Sequence, residues 1–474
     1  MSDQNNGSKL PLKTLGVFTL AMINVAAIVS LRNLPLMADY GFASVFFYVL
    51  AGLIFFIPIS LVAAEFATTY PGEGGIYLWV KEAFGQQYGF LTVWMEWVLN
   101  AVWLPTVLSF TAATIAYIIT PELAQNKVYM VAVMLIVLWG TTFANFFGMK
   151  ASGIISSVGT MTGTIIPGAL IIILGILWFV LGNPSQITFS VDTLIPDMKL
   201  DNLVFFAGVI VGLAGIEMAA FHANEAKDPQ KDYPKAIFLS ASIILALFIL
   251  GSLAIAIVVP AKEISLVAGL MQAFESFFSQ FGMKWFVKVI AFLTAIGALA
   301  QISTWLIGPS KGILATAQDG SLPKVFKKVN KDEMPVGILI IQALIGSLFS
   351  LIFLIAPDVS SSYWILTALT AQLTVIMYML IFSAIIKLRY SQPDIKRPFQ
   401  IPGGKAGVWT VAGIGLIGCV FTLVLGFIPP DNVPIKSVAK FEAIMIGGVV
   451  ILSIPPFIFH SLNKRKEKAN ETQS

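Results

Sequence analysis

Twelve stretches of about twenty mostly apolar residues, each long enough to cross a hydrocarbon core of ~30 Å as a helix, follow one another along the chain. They fall at 14–38, 43–66, 88–118, 128–148, 152–181, 203–226, 235–260, 285–314, 336–356, 362–387, 408–428 and 439–461. With 57 % hydrophobic and 11 % charged residues, the segments between them leave no room for a sizeable soluble domain. The expected fold is an all-α membrane protein of about twelve transmembrane helices. No window pairs a short apolar core with a small-residue cleavage site, so the first span is expected to stay in the mature protein.

Basic residues set the orientation, because short cytoplasmic loops are enriched in Lys and Arg. With the N-terminus inside, 21 of the 29 Lys and Arg fall on the inner side, seven fall outside, and Arg32 lies within a span. Both termini are therefore expected in the cytoplasm, with 1–13 and 463–474 as short polar tails. The formal charge of +4 reflects inner loops near anionic lipid and gives no reason to invoke nucleic acid.

The sixth span departs most from a plain helix. Between Phe205 and Glu225, Gly208, Gly212 and Gly215 recur at three- and four-residue spacing, and Glu217 follows the last of them. Glycine weakens a helix by about 1 kcal/mol per position, and a carboxylate in hydrocarbon costs roughly 2.5 kcal/mol or more. A broken helix facing a cavity accounts for both; a small-residue packing face with one snorkelling acid is the plainer reading. The first span carries a second interruption, with Asn24, Ser30, Arg32, Asn33 and Pro35 in apolar sequence and an unwound turn expected over Val25–Ser30. Arg32 is either a ligand for an anionic group or a cation snorkelling at the outer rim.

Other polar residues lie inside spans. Glu96 and Asn100 share one face of the third, where Glu96 is either a structural acid or a ligand for an amine or proton. Ser156, Ser157, Gly159 and Gly163 make the fifth suited to close packing. Gln301, Ser303, Thr304 and Trp305 sit at mid-depth in the eighth. Cys419 reads as a packing residue, and His222 and His460 are too few for a metal site.

Two connectors are apolar on one side yet too short to span: Tyr70–Gly85, with Ile76, Leu78, Trp79 and Phe84 on one face, and Ala261–Phe281. Each follows an interrupted span and a plain one, the first inside and the second outside. That pattern predicts an inverted repeat, 14–181 and then 203–387, with 408–461 as two further helices.

Several segments resemble the amino acid/polyamine/organocation transporters: Ala-Glu-Phe-Ala-Thr-Thr-Tyr-Pro-Gly-Glu-Gly-Gly at 64–75, Gly-Ile-Glu at 215–217, Asn-Glu-Ala-Lys-Asp-Pro-Gln-Lys-Asp-Tyr-Pro at 224–234 and Gly-Pro-Ser-Lys-Gly at 308–312. Within that family the chain looks most like the bacterial glutamate/γ-aminobutyrate antiporters. The resemblance implies a LeuT-like fold in the bacterial inner membrane, five spans plus five inverted and two more, with substrate at the breaks of spans one and six. Gly215 and Glu217 match the family's span-six break, and the expected substrate-binding residues beside the two breaks are Ala26, Ala27, Ile28 and Arg32 in span one and Gly212, Gly215, Ile216 and Glu217 in span six. Ala26-Ala27-Ile28 replaces the family's usual Gly-Ser-Gly.

The implied activity is secondary transport of amino acids, exchange of the glutamate/γ-aminobutyrate type, with proton- or sodium-coupled uptake as the alternative. In the latter Glu217 or Glu96 would carry the proton, or Ser303 and Thr304 would join span-one carbonyls around sodium. Glu217 and Glu96 are the coupling candidates, and Phe221, Trp305 and Trp364 are candidate aromatic gates, with plain packing as the alternative for each. No cofactor is called for, and no catalytic His/Asp constellation argues for an enzyme. The partners are a small amino acid and the lipid bilayer, with a homodimer left open.

Overall fold

The computed structural model describes residues 16–70, 75–147, 158–196, 203–217, 227–429, 437–459 and 461. Helix α1 (Val17–Ile28) is followed by a short break, a single 3-10 turn and α2 (Leu34–Ala38), the two halves bent by 50°. Then come α3 (Ala43–Thr69), the short α4 (Gly75–Phe84), α5 (Gln86–Ile119), α6 (Lys127–Asn145) and α7 (Val158–Val180). The second half runs α8 (Phe206–Leu213), α9 (Pro229–Ala256), the short α10 (Gly269–Gln280), α11 (Phe286–Gln318), α12 (Val336–Ile355), α13 (Val359–Ser391), α14 (Gly404–Leu425) and α15 (Val438–Phe459). Ten of these are long and apolar enough to cross a membrane, and α1 with α2 makes one more span. The sixth expected span is described as far as Glu217. The all-α architecture is as the apolar windows require.

Packing divides the helices. α1, α2 and α3 lie against α9, whereas α5 lies against α6, α11 and α12. α13 runs along α5 and closes onto α8 and α14. Small residues permit the nearest approaches: a Cβ on Gly163 of α7 would stand 2.2 Å from the Gly297 nitrogen of α11, so neither position admits a side chain.

α4 buries Ile76, Tyr77, Trp79, Val80 and Ala83, while Leu78 and Phe84 of the expected apolar face are only half-buried. The reason is its two neighbours, α5 and α13, which cover a wider arc than a single membrane surface would. Trp79 stacks on Phe66 at 5.0 Å between centroids, and Tyr77 reaches Asp319 beyond the end of α11 at 2.8 Å.

A buried ion cluster fastens the end of α3 to the end of α13. Glu65, 0 % exposed, takes both carboxylate bonds from Arg389 Nη2 at 2.5 Å, has Arg397 Nε at 3.4 Å and accepts the Ile401 amide at 2.8 Å. Arg397 in turn donates to the carbonyls of Leu388, Gln392, Pro393 and Ile395, at and just beyond the end of α13. Each charge therefore has hydrogen-bonding company, the condition for burying it.

Candidate functional site

The chain breaks twice, at two places that lie beside one another, for two different reasons. In α8 the helix stops at Leu213, Ala214 turns extended with ψ 151°, and Gly215 takes φ +113°, which a side chain makes strained. The three glycines of this span divide the work. A Cβ on Gly208 would come 2.2 Å from Leu36, and one on Gly212 3.0 Å from Asn33 Nδ2, so these two let the broken spans approach each other. Gly215 has ordinary space around it, and its backbone angle is what requires glycine.

The first span breaks without glycine. Helix α1 continues through Ile28, so the unwound part is only Val29 and Ser30, narrower than the expected Val25–Ser30. Pro35 sets the restart: it sits in the first turn of α2, where its missing N–H costs nothing. The polar groups around the break are tied across the molecule. Asn24 Nδ2 donates to Ser240 at 3.1 Å and Ser30 to Gln301 at 2.9 Å.

Between the breaks lies a cavity lined by Ala27, Ile28, Arg32, Gly212, Gly215 and Glu217, together with Glu96, Asn100, Trp103 and Trp305 across it and Thr370, Thr374 and Tyr378 along α13. Arg32 is 2 % exposed, so it is no snorkelling rim cation. Its Nη1 donates to Tyr363 at 3.0 Å, its guanidinium stands 5.2 Å from the Trp103 ring centroid, and Nε has no hydrogen-bond partner. Glu217 accepts from the Tyr378 hydroxyl at 2.7 Å, and the same hydroxyl accepts from the Gly215 amide at 2.9 Å. Glu96 is 5 % exposed on α5.

Trp305 lines the cavity and packs against Trp103 at 5.6 Å between centroids. Trp364 does not line it; fully buried, it packs edge-on against Phe205 at 4.7 Å. Ala26 and Ile216 lie beside the breaks without lining the cavity. Phe221, His222 and His460 lie outside the described residues. Ser303 donates to Asn145 Oδ1 at 2.6 Å and Thr304 to the Ala300 carbonyl at 3.0 Å. Among the described residues no cluster of His, Cys, Asp and Glu is able to hold a metal.

Sequence reasoning missed Tyr378 and Trp103, because only the tertiary fold brings them to the breaks. Tyr378 had one legible signal: it is a hydroxyl-bearing ring on the face of α13 that carries Thr370 and Thr374, four and eight residues earlier.

Residues 15–451 match the amino acid permease family model. An uncharacterized transporter of Legionella pneumophila is 47 % identical over 448 residues, covering 94 % of this chain and 96 % of that protein. A glutamate/γ-aminobutyrate antiporter of Lactococcus lactis is 30 % identical over 460 residues, covering 96 % of this chain and 92 % of that one. A probable agmatine/putrescine antiporter of the same species is 24 % identical over 451 residues. With nearly its whole length matched and its spans in place, the chain belongs to the amino acid permease family.

Proposed function

We propose that the protein is a secondary carrier that exchanges one amino acid for another by alternating access, with substrate held where α1 and α8 break. The observation that supports this most is the charge of the cavity: one guanidinium with an unpaired Nε, Arg32, and two carboxyl groups, Glu96 and Glu217, line a single space. An amino acid carries a group for each sign. Helix ends add to this, since a broken span turns partial charges and free backbone groups toward the gap. The lactococcal relatives' names favour glutamate and γ-aminobutyrate as the exchanged pair.

In this reading Glu217 and Glu96 couple occupancy to the change of access and Trp305 closes over the substrate. The two halves, 14–181 and 203–387, form an inverted repeat. Each begins with a broken span and places a short helix, α4 or α10, before a long one, α5 or α11. Both termini face the cytoplasm of a bacterial cell. Since Cys419 is the single cysteine and is buried, single cysteines at the exposed Lys262 and Lys328 report sidedness directly. Lys262→Cys should label from outside and Lys328→Cys should not.

Counterflow tests the activity. Liposomes holding the purified protein should take up labelled glutamate or γ-aminobutyrate only when loaded with unlabelled amino acid. Uptake into empty liposomes driven by a proton or sodium gradient would replace exchange with coupled uptake.

A further inference from the structure

Beyond its charged groups, the cavity lining holds two polar side chains with an unpartnered oxygen, Asn100 Oδ1 and Thr374 Oγ1, and the first of them follows from a proline. Pro309 lies inside α11, and its ring nitrogen has no hydrogen for the carbonyl four residues earlier, that of Trp305. Asn100 of α5 supplies the missing donor, with Nδ2 to the Trp305 oxygen at 2.5 Å. A carbonyl oxygen only accepts, so this bond fixes which way the amide is turned. Oδ1 is left pointing away from that bond, without a hydrogen-bond partner, on a residue that is 0 % exposed and lines the cavity. An unpaired buried acceptor is costly.

Glu96 stands one turn earlier on the same face of α5 and lines the same cavity. One turn later on that helix comes Trp103, with the Arg32 guanidinium beside its ring. Resting on the reading of the protein as an amino acid carrier, we infer that Asn100 Oδ1 and Glu96 form the subsite for the substrate's primary ammonium group. The proline dictates the specificity. With one Nδ2 hydrogen committed to Trp305, the amide is turned so that Oδ1 is the atom left without a partner, and the group that satisfies it must be a hydrogen-bond donor. A primary ammonium has three donor hydrogens, enough for Asn100 and Glu96 together, whereas a trimethylammonium has none. The carboxylate end of the substrate lies toward Arg32.

Binding to the purified full-length protein tests this with γ-aminobutyrate as probe. Asn100→Leu removes both the donor to Trp305 and the acceptor in the cavity, so it should lower both the melting temperature and the affinity. Adding Pro309→Ala returns an N–H to the Trp305 carbonyl. The double variant should recover the melting temperature while γ-aminobutyrate still binds about 10-fold or more weakly, the scale of one hydrogen bond to a charged group. Recovery of affinity along with stability would reduce Asn100 to a staple between α5 and α11 and overturn the subsite. The unaltered protein provides a second test that needs no variant to fold. It should bind γ-aminobutyrate about 10-fold or more tightly than the trimethylammonium analogue, and equal binding would overturn the inference. If the unaltered protein binds neither glutamate nor γ-aminobutyrate, the reading of these two as its exchanged pair has failed.

Discussion

The hydroxyl of Tyr378 donates to Glu217 at 2.7 Å while accepting the Gly215 amide at 2.9 Å, so one side chain of α13 closes both polar ends of the break after α8. A backbone N–H freed by unwinding needs a partner when buried, and a buried carboxyl needs one more. Phe55 packs edge-on against the Tyr378 ring at 4.9 Å and helps to hold it in place.

Tyr378→Phe keeps the ring and removes both bonds. It should destabilise the protein by about 2 kcal/mol and slow exchange, read by thermal unfolding in detergent and by counterflow. Glu217→Gln makes the complementary test, since a glutamine oxygen still accepts from Tyr378. Its melting temperature should stay near that of the unaltered protein while turnover falls or loses its pH dependence. Ordinary turnover with an unchanged pH profile would make Glu217 a structural acid.

How far the sequence goes is seen in the glycines of α8. Gly215 followed by Glu217 pointed to a break, and the structure has one there, with φ +113° at Gly215. Spacing did not separate Gly215 from Gly208 and Gly212, which serve close packing against Leu36 and Asn33. Periodicity reports that a residue is small, and only a neighbour's position tells whether space or backbone angle demands it. Arg32 shows the same limit. A cation within an apolar stretch was legible, but its burial between Trp103 and Tyr363 depends on α5 and α13, which lie far along the chain. The Glu65 cluster was hidden for a third reason: Arg389 and Arg397 fall between the apolar stretches 362–387 and 408–428, far along the chain from Glu65, and only the fold brings both onto one buried carboxylate.

Arg32→Lys keeps the charge and loses the planar fork, including the Nε that lacks a partner. Binding of glutamate, which carries one more carboxylate than a neutral amino acid, should weaken by roughly 1.5 kcal/mol or more. Neutral amino acids should be affected less. Equal loss for both, measured by titration calorimetry, would show that Arg32 supports the break and does not choose the substrate.

Glu65→Ala strands two guanidinium groups that are 7 % and 9 % exposed. Breaking a buried pair by removing one partner costs about 3–5 kcal/mol, whereas removing both charges costs far less. The single variant should therefore unfold at markedly lower temperature, and adding Arg389→Met should return part of the loss. If Glu65→Ala melts like the unaltered protein, the cluster contributes nothing to the union of α3 and α13.

The contact of α4 with the end of α11 should weaken in acid. Asp319 accepts from the Tyr77 hydroxyl at 2.8 Å and from Lys81 Nζ at 3.3 Å. The Tyr77 hydrogen bond first, and the Lys81 ammonium after it, hold its carboxyl below the ordinary value of 3.8 despite partial burial. A carboxyl whose pKa is lower in the folded state binds fewer protons folded than unfolded where it titrates. Its stabilisation is thus fully present above pH 3.8 and is lost as pH falls through the lowered folded value. Lys81 and Asp319 are both partly exposed, so the effect should be modest and should shrink in high salt. Tyr77→Phe should lower the melting temperature slightly at neutral pH, and the gap to the unaltered protein should narrow once the pH drops below 3.8. A gap that stays constant from neutral to acid pH would show that Tyr77 acts through its packed ring alone.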